Sequence, residues 1–181
     1  FTNNSIEQVT EQVKDTEIEG LQNPTGKEVL YSTYQNIGKS RNASLSGYVN
    51  WNATSNTRIY ANLYGNYTYM EGANGLKNDG WNLFAYGGAQ QSLPHDWRIS
   101  LNIYGQTPWI MLQGKGSSFF DYGLSVNKSF LNKRLTLSAF ASNFFKKYTS
   151  PTSSIEGVGF TQDSWNRYTR QRFGVSVSYR I

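Results

Sequence analysis

Hydrophobic and polar residues alternate along the last fifteen residues of the chain, 167–181. Every second residue is apolar or aromatic, giving the row Phe173, Val175, Val177, Tyr179 and Ile181. The interleaved row is polar and carries three arginines: Arg170, Arg172, Gly174, Ser176, Ser178 and Arg180. A side-chain period of two predicts a β-strand with two unlike faces. A half-buried strand of a soluble protein gives the same alternation, so this segment alone does not distinguish water from lipid.

The same alternation recurs along the rest of the sequence and predicts about eight antiparallel strands. It is weak in the first segment, and Gly38 and Lys39 are expected to break or bulge the second strand. The predicted strands cover residues 1–9, 29–51, 59–69, 81–90, 97–104, 120–127, 135–142 and 167–181. Apolar residues occupy one row of each strand, and Asn, Ser, Thr, Tyr, Gln and Arg occupy the other.

The connections between these strands alternate in length. Long loops are predicted at 10–27, at 71–80 with its Asn74-Gly75 and Asp79-Gly80 turn dipeptides, around Gly114, and at 146–166. Short turns are predicted near Thr54, His95 and Asn132. Short turns on one side and long loops on the other are typical of a transmembrane β-barrel.

Aromatic residues recur at the strand ends of the apolar row. Trp51, Trp97 and Tyr179 lie near short turns or the terminus, whereas Tyr67, Tyr69 and Trp81 lie beside a long loop. Such rings prefer the headgroup level of a bilayer, so they predict two aromatic girdles. A soluble β-sandwich with aromatic edges is the alternative, but it gives no reason for regularly alternating loop lengths.

The polar row would make a poor packed core but a suitable wall for a wet or plugged lumen. We therefore predict an all-β, antiparallel up-and-down transmembrane β-barrel. Its apolar row, including Phe173, Val175, Val177, Tyr179 and Ile181, is expected to face lipid.

Composition narrows the function classes. No apolar run approaches the ~20 residues of a membrane helix. The net charge is +5, but the basic residues are scattered rather than clustered, and we expect no nucleic-acid partner. Cysteine is absent, which excludes disulfides and thiolate metal sites. The chain starts at Phe1 without a signal-peptide pattern, and we interpret it as a segment of a longer protein.

The candidate functional residues lie on the polar row, and we expect a binding role rather than an enzymatic one. The only histidine, His95, is in a short turn without a second ligand nearby, so we expect no catalytic site, metal or cofactor. The candidate lumen-facing residues are Arg170, Arg172, Arg180, Arg98, Tyr64, Tyr86 and Tyr104. The arginines could form a basic patch for an anionic substrate or a plug; pairing with carboxylates such as Asp121 is the favoured alternative. The tyrosines could form a belt that binds sugars, although a structural lining is favoured.

Several segments resemble a known family. They are Tyr34–Arg41 (YQNIGKSR), Leu93–Arg98 (LPHDWR), the run from Phe120 to Leu137, and Arg172–Arg180 (RFGVSVSYR). Together they resemble the C-terminal part of the outer-membrane β-barrel family related to TonB-dependent receptors of Gram-negative bacteria. The resemblance covers nearly the whole chain.

The resemblance implies a protein of the bacterial outer membrane that imports bulky substrates with energy relayed by TonB. It implies an N-terminal plug and a barrel of about 22 strands, of which residues 1–181 supply the C-terminal segment. Its implied partners are outer-membrane lipid, the plug and earlier strands, TonB through that upstream part, and the barrel-assembly machinery. Such barrels usually end in an aromatic residue, from which Ile181 departs.

A second hypothesis is a self-contained eight-strand outer-membrane barrel with an anchoring or adhesion role. Eight strands can just be filled by side chains, so the length permits it. A plug domain upstream would favour transport, and a signal peptide directly before Phe1 would favour the small barrel.

Overall fold

The computed structural model describes residues 2–72 and 75–181. Its main element is one antiparallel sheet of eight strands. In spatial order these are β1 (Thr2–Lys14), β2 (Glu28–Asn52), β3 (Thr57–Glu71), β4 (Lys77–Leu93), β5 (Trp97–Gln106), β8 (Phe119–Phe130), β9 (Leu135–Ser142) and β14 (Arg172–Tyr179).

Six short strands lie in two of the connections. A four-stranded sheet has the order β12 (Phe160–Trp165), β11 (Thr152–Gly157), β7 (Gly114–Lys115) and β6 (Ile110–Met111). A two-stranded sheet pairs β10 (Tyr148–Thr149) with β13 (Tyr168–Thr169). The sequence prediction of plain long loops here is wrong, because the two connections pair with each other through β7 and β11.

The register of the main sheet keeps the two rows of side chains separate from strand to strand. Directly paired residues share a face in an antiparallel sheet. One ladder row consists of Trp51, Ile59, Ala89, Leu101, Leu124, Ala141 and Phe173. We call this side the apolar face and the opposite side the polar face. The predicted alternation thus becomes two continuous and chemically different surfaces.

The first strand is longer than predicted. Residues 10–14, expected to begin a solvated loop, extend β1 and pair with Glu28–Ser32 of β2. Only Asp15–Glu17 form a short 3₁₀ turn beyond it. The Asp15 carboxylate accepts hydrogen bonds from the hydroxyl of Thr25 (2.7 Å) and the amides of Thr25 and Gly26 (both 2.6 Å). These bonds lower the pKa of Asp15, and the bond from the Thr25 hydroxyl has the largest effect. They also connect the two ends of the loop between β1 and β2.

The expected break at Gly38 is wrong, because β2 runs through it without interruption. Near Gly38, the strand that pairs with β2 changes from β1 to β3. Residues up to Ser40 pair with β1, and residues from Lys39 onward pair with β3. The β1–β2 hairpin therefore extends beyond the end of β3.

The predicted loop 71–80 is mostly strand. Asp79-Gly80, a turn dipeptide in the sequence, lies inside β4, since Asp79 pairs with Tyr69. The ladder continues to the pair Glu71 and Lys77, which form an ion pair at 3.3 Å. Asn74 lies outside the described residues. The loop-length alternation is therefore weaker than predicted, because β3 and β4 lengthen toward this end.

The densest packing lies at the end of the sheet that carries the long connections. Val9, Met70 and Leu112 form the buried apolar cluster there, with Leu76 against it. By contrast, large apolar side chains along the apolar face are exposed, for example Leu45 at 77% and Val175 at 78%. Neither face of the sheet packs against a hydrophobic core of the kind found in soluble proteins.

The described sheet is open rather than closed. β1 and β14 lie at opposite edges, and no pairing joins them among the described residues. Within the same residues, no helix is long and apolar enough to cross a membrane.

Candidate binding site on the polar face

Hydrogen-bonded side chains run across the polar face from strand to strand. The Ser44 hydroxyl lies 3.0 Å from the Tyr64 hydroxyl and donates to Asn66 at 2.8 Å. Thr68 donates to Asn42 at 2.8 Å. The polar row therefore forms a lattice of partly satisfied groups that suits contact with water or a polar ligand.

Aromatic rings form a chain across the same face. Tyr86 contacts Tyr60 and Tyr104 at centroid distances of 5.8 and 6.4 Å, and Tyr104 stacks on Phe119 at 5.0 Å. The predicted belt of Tyr64, Tyr86 and Tyr104 is thus partly assembled. Tyr64 bonds to Ser44 instead, and Tyr60 stands in its place in the chain.

A glycine makes room for Tyr60. A Cβ on Gly88 would lie 2.6 Å from the Tyr60 hydroxyl and 2.4 Å from the Leu101 carbonyl oxygen. Tyr60 crosses this gap and donates a hydrogen bond to Asn102 two strands away. The sequence placed Tyr60 on the polar row, but nothing local indicated this long reach.

Arg170 lies at the long-connection end of the aromatic chain, just before β14. Its guanidinium forms an ion pair with Asp121 at 2.5 Å and donates to the Tyr168 hydroxyl at 2.9 Å. It also lies over the Phe119 and Tyr168 rings, at 5.2 Å from each centroid. The hydrogen bond to Asp121 raises the pKa of Arg170. The predicted pairing with Asp121 is confirmed for this arginine.

Asn143 completes this cluster. It has a left-handed backbone (φ 49°) directly after β9 and is buried. Its amide nitrogen donates to Asp121 at 2.8 Å, and its oxygen accepts from the Tyr122 amide at 3.2 Å. Asp121 is therefore held from two sides, by Asn143 and by Arg170.

A cleft of about 520 Å³ opens beside this cluster. Its walls include Tyr104, Asp121, Asn143, Tyr168, Arg170 and Arg172. Arg172 is exposed and takes part in no ion pair among the described residues. An aromatic wall beside a cation of this kind can bind a polar ligand that carries negative charge.

The candidate arginines form two groups rather than one patch. Arg170 and Arg172 lie at the outset of β14, and Arg180 follows its end. Eight residues of extended chain separate Arg172 from Arg180, about 26 Å. Arg98, like Arg180, lies near the short turns. Arg98 lines a separate cleft together with Asp96 and Lys133. The basic patch predicted along the last strand is therefore divided.

We expect Asp121→Ala to loosen connection 143–171. It removes the partner of a partly exposed guanidinium, and the partial exposure of both groups limits the cost to about 1–2 kcal/mol. Hydrogen exchange should show lower amide protection across residues 143–171.

Asp163→Ala serves as the control, because Asp163 is exposed in the same connection. In a double-mutant cycle, Arg170→Ala should add little once Asp121 is gone. Fully additive effects of the two changes would contradict the coupling.

On the opposite face, the five residues predicted to face lipid are all exposed: Phe173, Val175, Val177, Tyr179 and Ile181. Lys128 also lies on the apolar face, near the short turns. Its ammonium group lies 5.3 Å from the ring centroids of Trp97 and Phe130 and donates to the His95 carbonyl oxygen. This is the arrangement of a lysine that reaches from apolar surface toward water.

The apolar face has the height of a bilayer core. Along β8, ten residues separate Phe120 from Phe130, about 33 Å of extended strand. A tilt of about 40° reduces this to about 25 Å, the height of the apolar band of a membrane barrel. Tyr67 and Trp81 contact each other at 5.5 Å on the same face near the long-connection end. An aromatic-bordered apolar face with a polar reverse side defines a transmembrane β-sheet protein.

Residues 1–179 match the model of the outer membrane protein beta-barrel family. The chain belongs to this family, and its location is the outer membrane of a Gram-negative bacterium. Comparisons with curated proteins and with solved structures gave no match. The long connections are accordingly expected on the outer side and the short turns on the periplasmic side.

Proposed function

We propose that this chain is a sector of the wall of a TonB-dependent transport barrel that imports a bulky substrate. The supporting observation is the open sheet: β1 and β14 lie at opposite edges, and among the described residues no pairing joins them.

An up-and-down barrel is closed, so each of its strands has an antiparallel neighbour on both sides. The outer edges of β1 and β14 have no neighbouring strand among the described residues, which supports a barrel that is completed by further strands.

The polar face is consistent with a lumen that meets a substrate or a plug. Tyr64, Arg98, Arg172 and Arg180 are exposed on or beside it, so it is not filled by its own side chains. We assign the aromatic chain and the Arg172 cleft to substrate or plug contact.

Binding of the periplasmic domain of TonB to the purified full-length protein tests this proposal. The transport barrel should bind it, with binding lost when the segment upstream of the barrel is deleted. A full-length protein that does not bind TonB would overturn the proposal.

One observation favours the alternative, an anchoring or adhesion barrel. The strands β6, β7, β11 and β12 form an ordered structure at the outer end, and Val158 (88%) and Trp165 (67%) are exposed on it. Exposed apolar residues on an outer surface are suited to protein contact. This alternative predicts no TonB binding and adhesion that depends on Val158 and Trp165.

A further inference from the structure

A basic and aromatic cluster lies at the outer end of the sheet, in the connection between β9 and β14. It consists of Phe145, Lys146, Lys147, Tyr148 and Arg167, all of which are exposed. We propose that this cluster binds the phosphorylated headgroup of a lipid in the outer leaflet.

The cluster is attached to the lipid-facing side through Phe145. The Phe145 amide donates to the Tyr122 hydroxyl at 2.9 Å, and the two rings lie 5.9 Å apart. Tyr122 belongs to the apolar face, because it pairs with Ile103 in the ladder. Phe145 itself is 86% exposed. A large apolar ring fixed in this position suits the boundary between acyl chains and headgroups.

The register of β10 and β13 places Arg167 on the side away from Arg170. Tyr168 and Arg170 lie on the lumen side, where they bond to each other. Strand alternation directs Arg167 to the opposite side, and its guanidinium stacks over the Tyr148 ring at 4.2 Å. Lys147 lies 5.3 Å from the same ring centroid. The Tyr148 ring thus holds two cations together at the outer boundary of the band.

In the described part of the chain, no carboxylate forms an ion pair with this cluster. Neither Lys77–Glu71 nor Arg170–Asp121 involves Lys146, Lys147 or Arg167. Two of these cations lie over the Tyr148 ring, and the third, Lys146, follows the exposed Phe145 in sequence. Cations next to an exposed apolar ring complement a lipid that has phosphate above its acyl chains. The outer-membrane location supplies such a lipid, lipopolysaccharide.

The test measures lipid binding by the full-length protein in detergent micelles. The probes are lipopolysaccharide and the same lipopolysaccharide after enzymatic removal of its phosphates. The parent protein should prefer the phosphorylated form. The variant Lys146→Gln/Lys147→Gln/Arg167→Gln should bind it about 100-fold more weakly, because each of the three cations near a charged membrane surface contributes about fivefold.

A charge-matched control changes three exposed lysines elsewhere, Lys14→Gln/Lys27→Gln/Lys133→Gln, and should bind as the parent does. Phe145→Ser gives a second, uncharged variant, which should weaken binding without changing the phosphate preference. Heat-modified gel mobility verifies that each variant is folded.

Three results would overturn the proposal. The triple variant could bind as tightly as the parent, or the parent could bind both lipid forms equally. Alternatively, millimolar inorganic phosphate could displace the lipid completely, which would indicate a site for soluble phosphate. A preference for phosphorylated lipid that is lost in the triple variant and retained in the control supports it.

Discussion

Replacing Leu101 by arginine is expected to cost about 2–4 kcal/mol and to impair insertion into the membrane. Leu101 pairs with Leu124 on the apolar face. It lies four residues from Trp97 at one boundary and four residues from Gly105 at the other, where Gly105 pairs with Phe120. It therefore lies midway between the two aromatic boundaries of the band. An arginine at this depth must be buried in hydrocarbon or distort the bilayer to reach water.

The measurement is equilibrium unfolding in urea after refolding into lipid vesicles. Ser100→Arg is the matched control, because Ser100 is the next residue on the polar face and its side chain points to the lumen. The control should lose less than about 1 kcal/mol. If Ser100→Arg were the damaging change and Leu101→Arg the harmless one, the assignment of faces would be reversed.

Replacing Gln113 by alanine is expected to destabilise the outer end of the sheet by about 2–4 kcal/mol. The Gln113 side chain accepts from the Thr10 amide and donates to the Thr10 carbonyl oxygen, both at 2.7 Å. Both residues are buried. These two groups of Thr10 lie on the edge of β1 away from β2, so the glutamine amide acts there as a neighbouring strand would. Without it, two buried backbone groups lose their partners.

Hydrogen exchange at Thr10 and in strands β6 and β7 should report this loss directly. Gln162→Ala is the control, since Gln162 is a partly buried glutamine in the same four-stranded sheet. Equal protection at Thr10 in the parent and the Gln113→Ala variant would show that water replaces the side chain at no cost.

The sequence predicted the membrane-spanning part of the sheet well, because period-two alternation there is enforced by two different surroundings. The ladder row through Ile59 and Leu101 follows directly from that alternation. Turn dipeptides predicted the loops less well. Asp79-Gly80 lies in a strand because pairing with Tyr69 and Thr68 outweighs the local turn preference.

The outer end could not be predicted in this way. It depends on contacts between residues far apart in sequence, such as Thr10 and Gln113, which are separated by 103 positions. No local period records such a contact. The candidate site shows the same division. The alternation assigns its residues to the polar face. It does not predict the hydrogen bond from Asn143 to Asp121 or the one from Tyr60 to Asn102, which are seen only in the structure.

The bond between Gln113 and Thr10 also constrains the order of folding. Contacts between distant residues form only after loop closure, which is slow for long separations. The Glu156 amide donates to the Gln113 carbonyl oxygen at 2.6 Å, so a third segment joins the same place. All three segments must reach the outer side of the bilayer before they can meet. Assembly of the outer end is therefore expected to follow the crossing of the strands and to lock a sheet that has already been inserted.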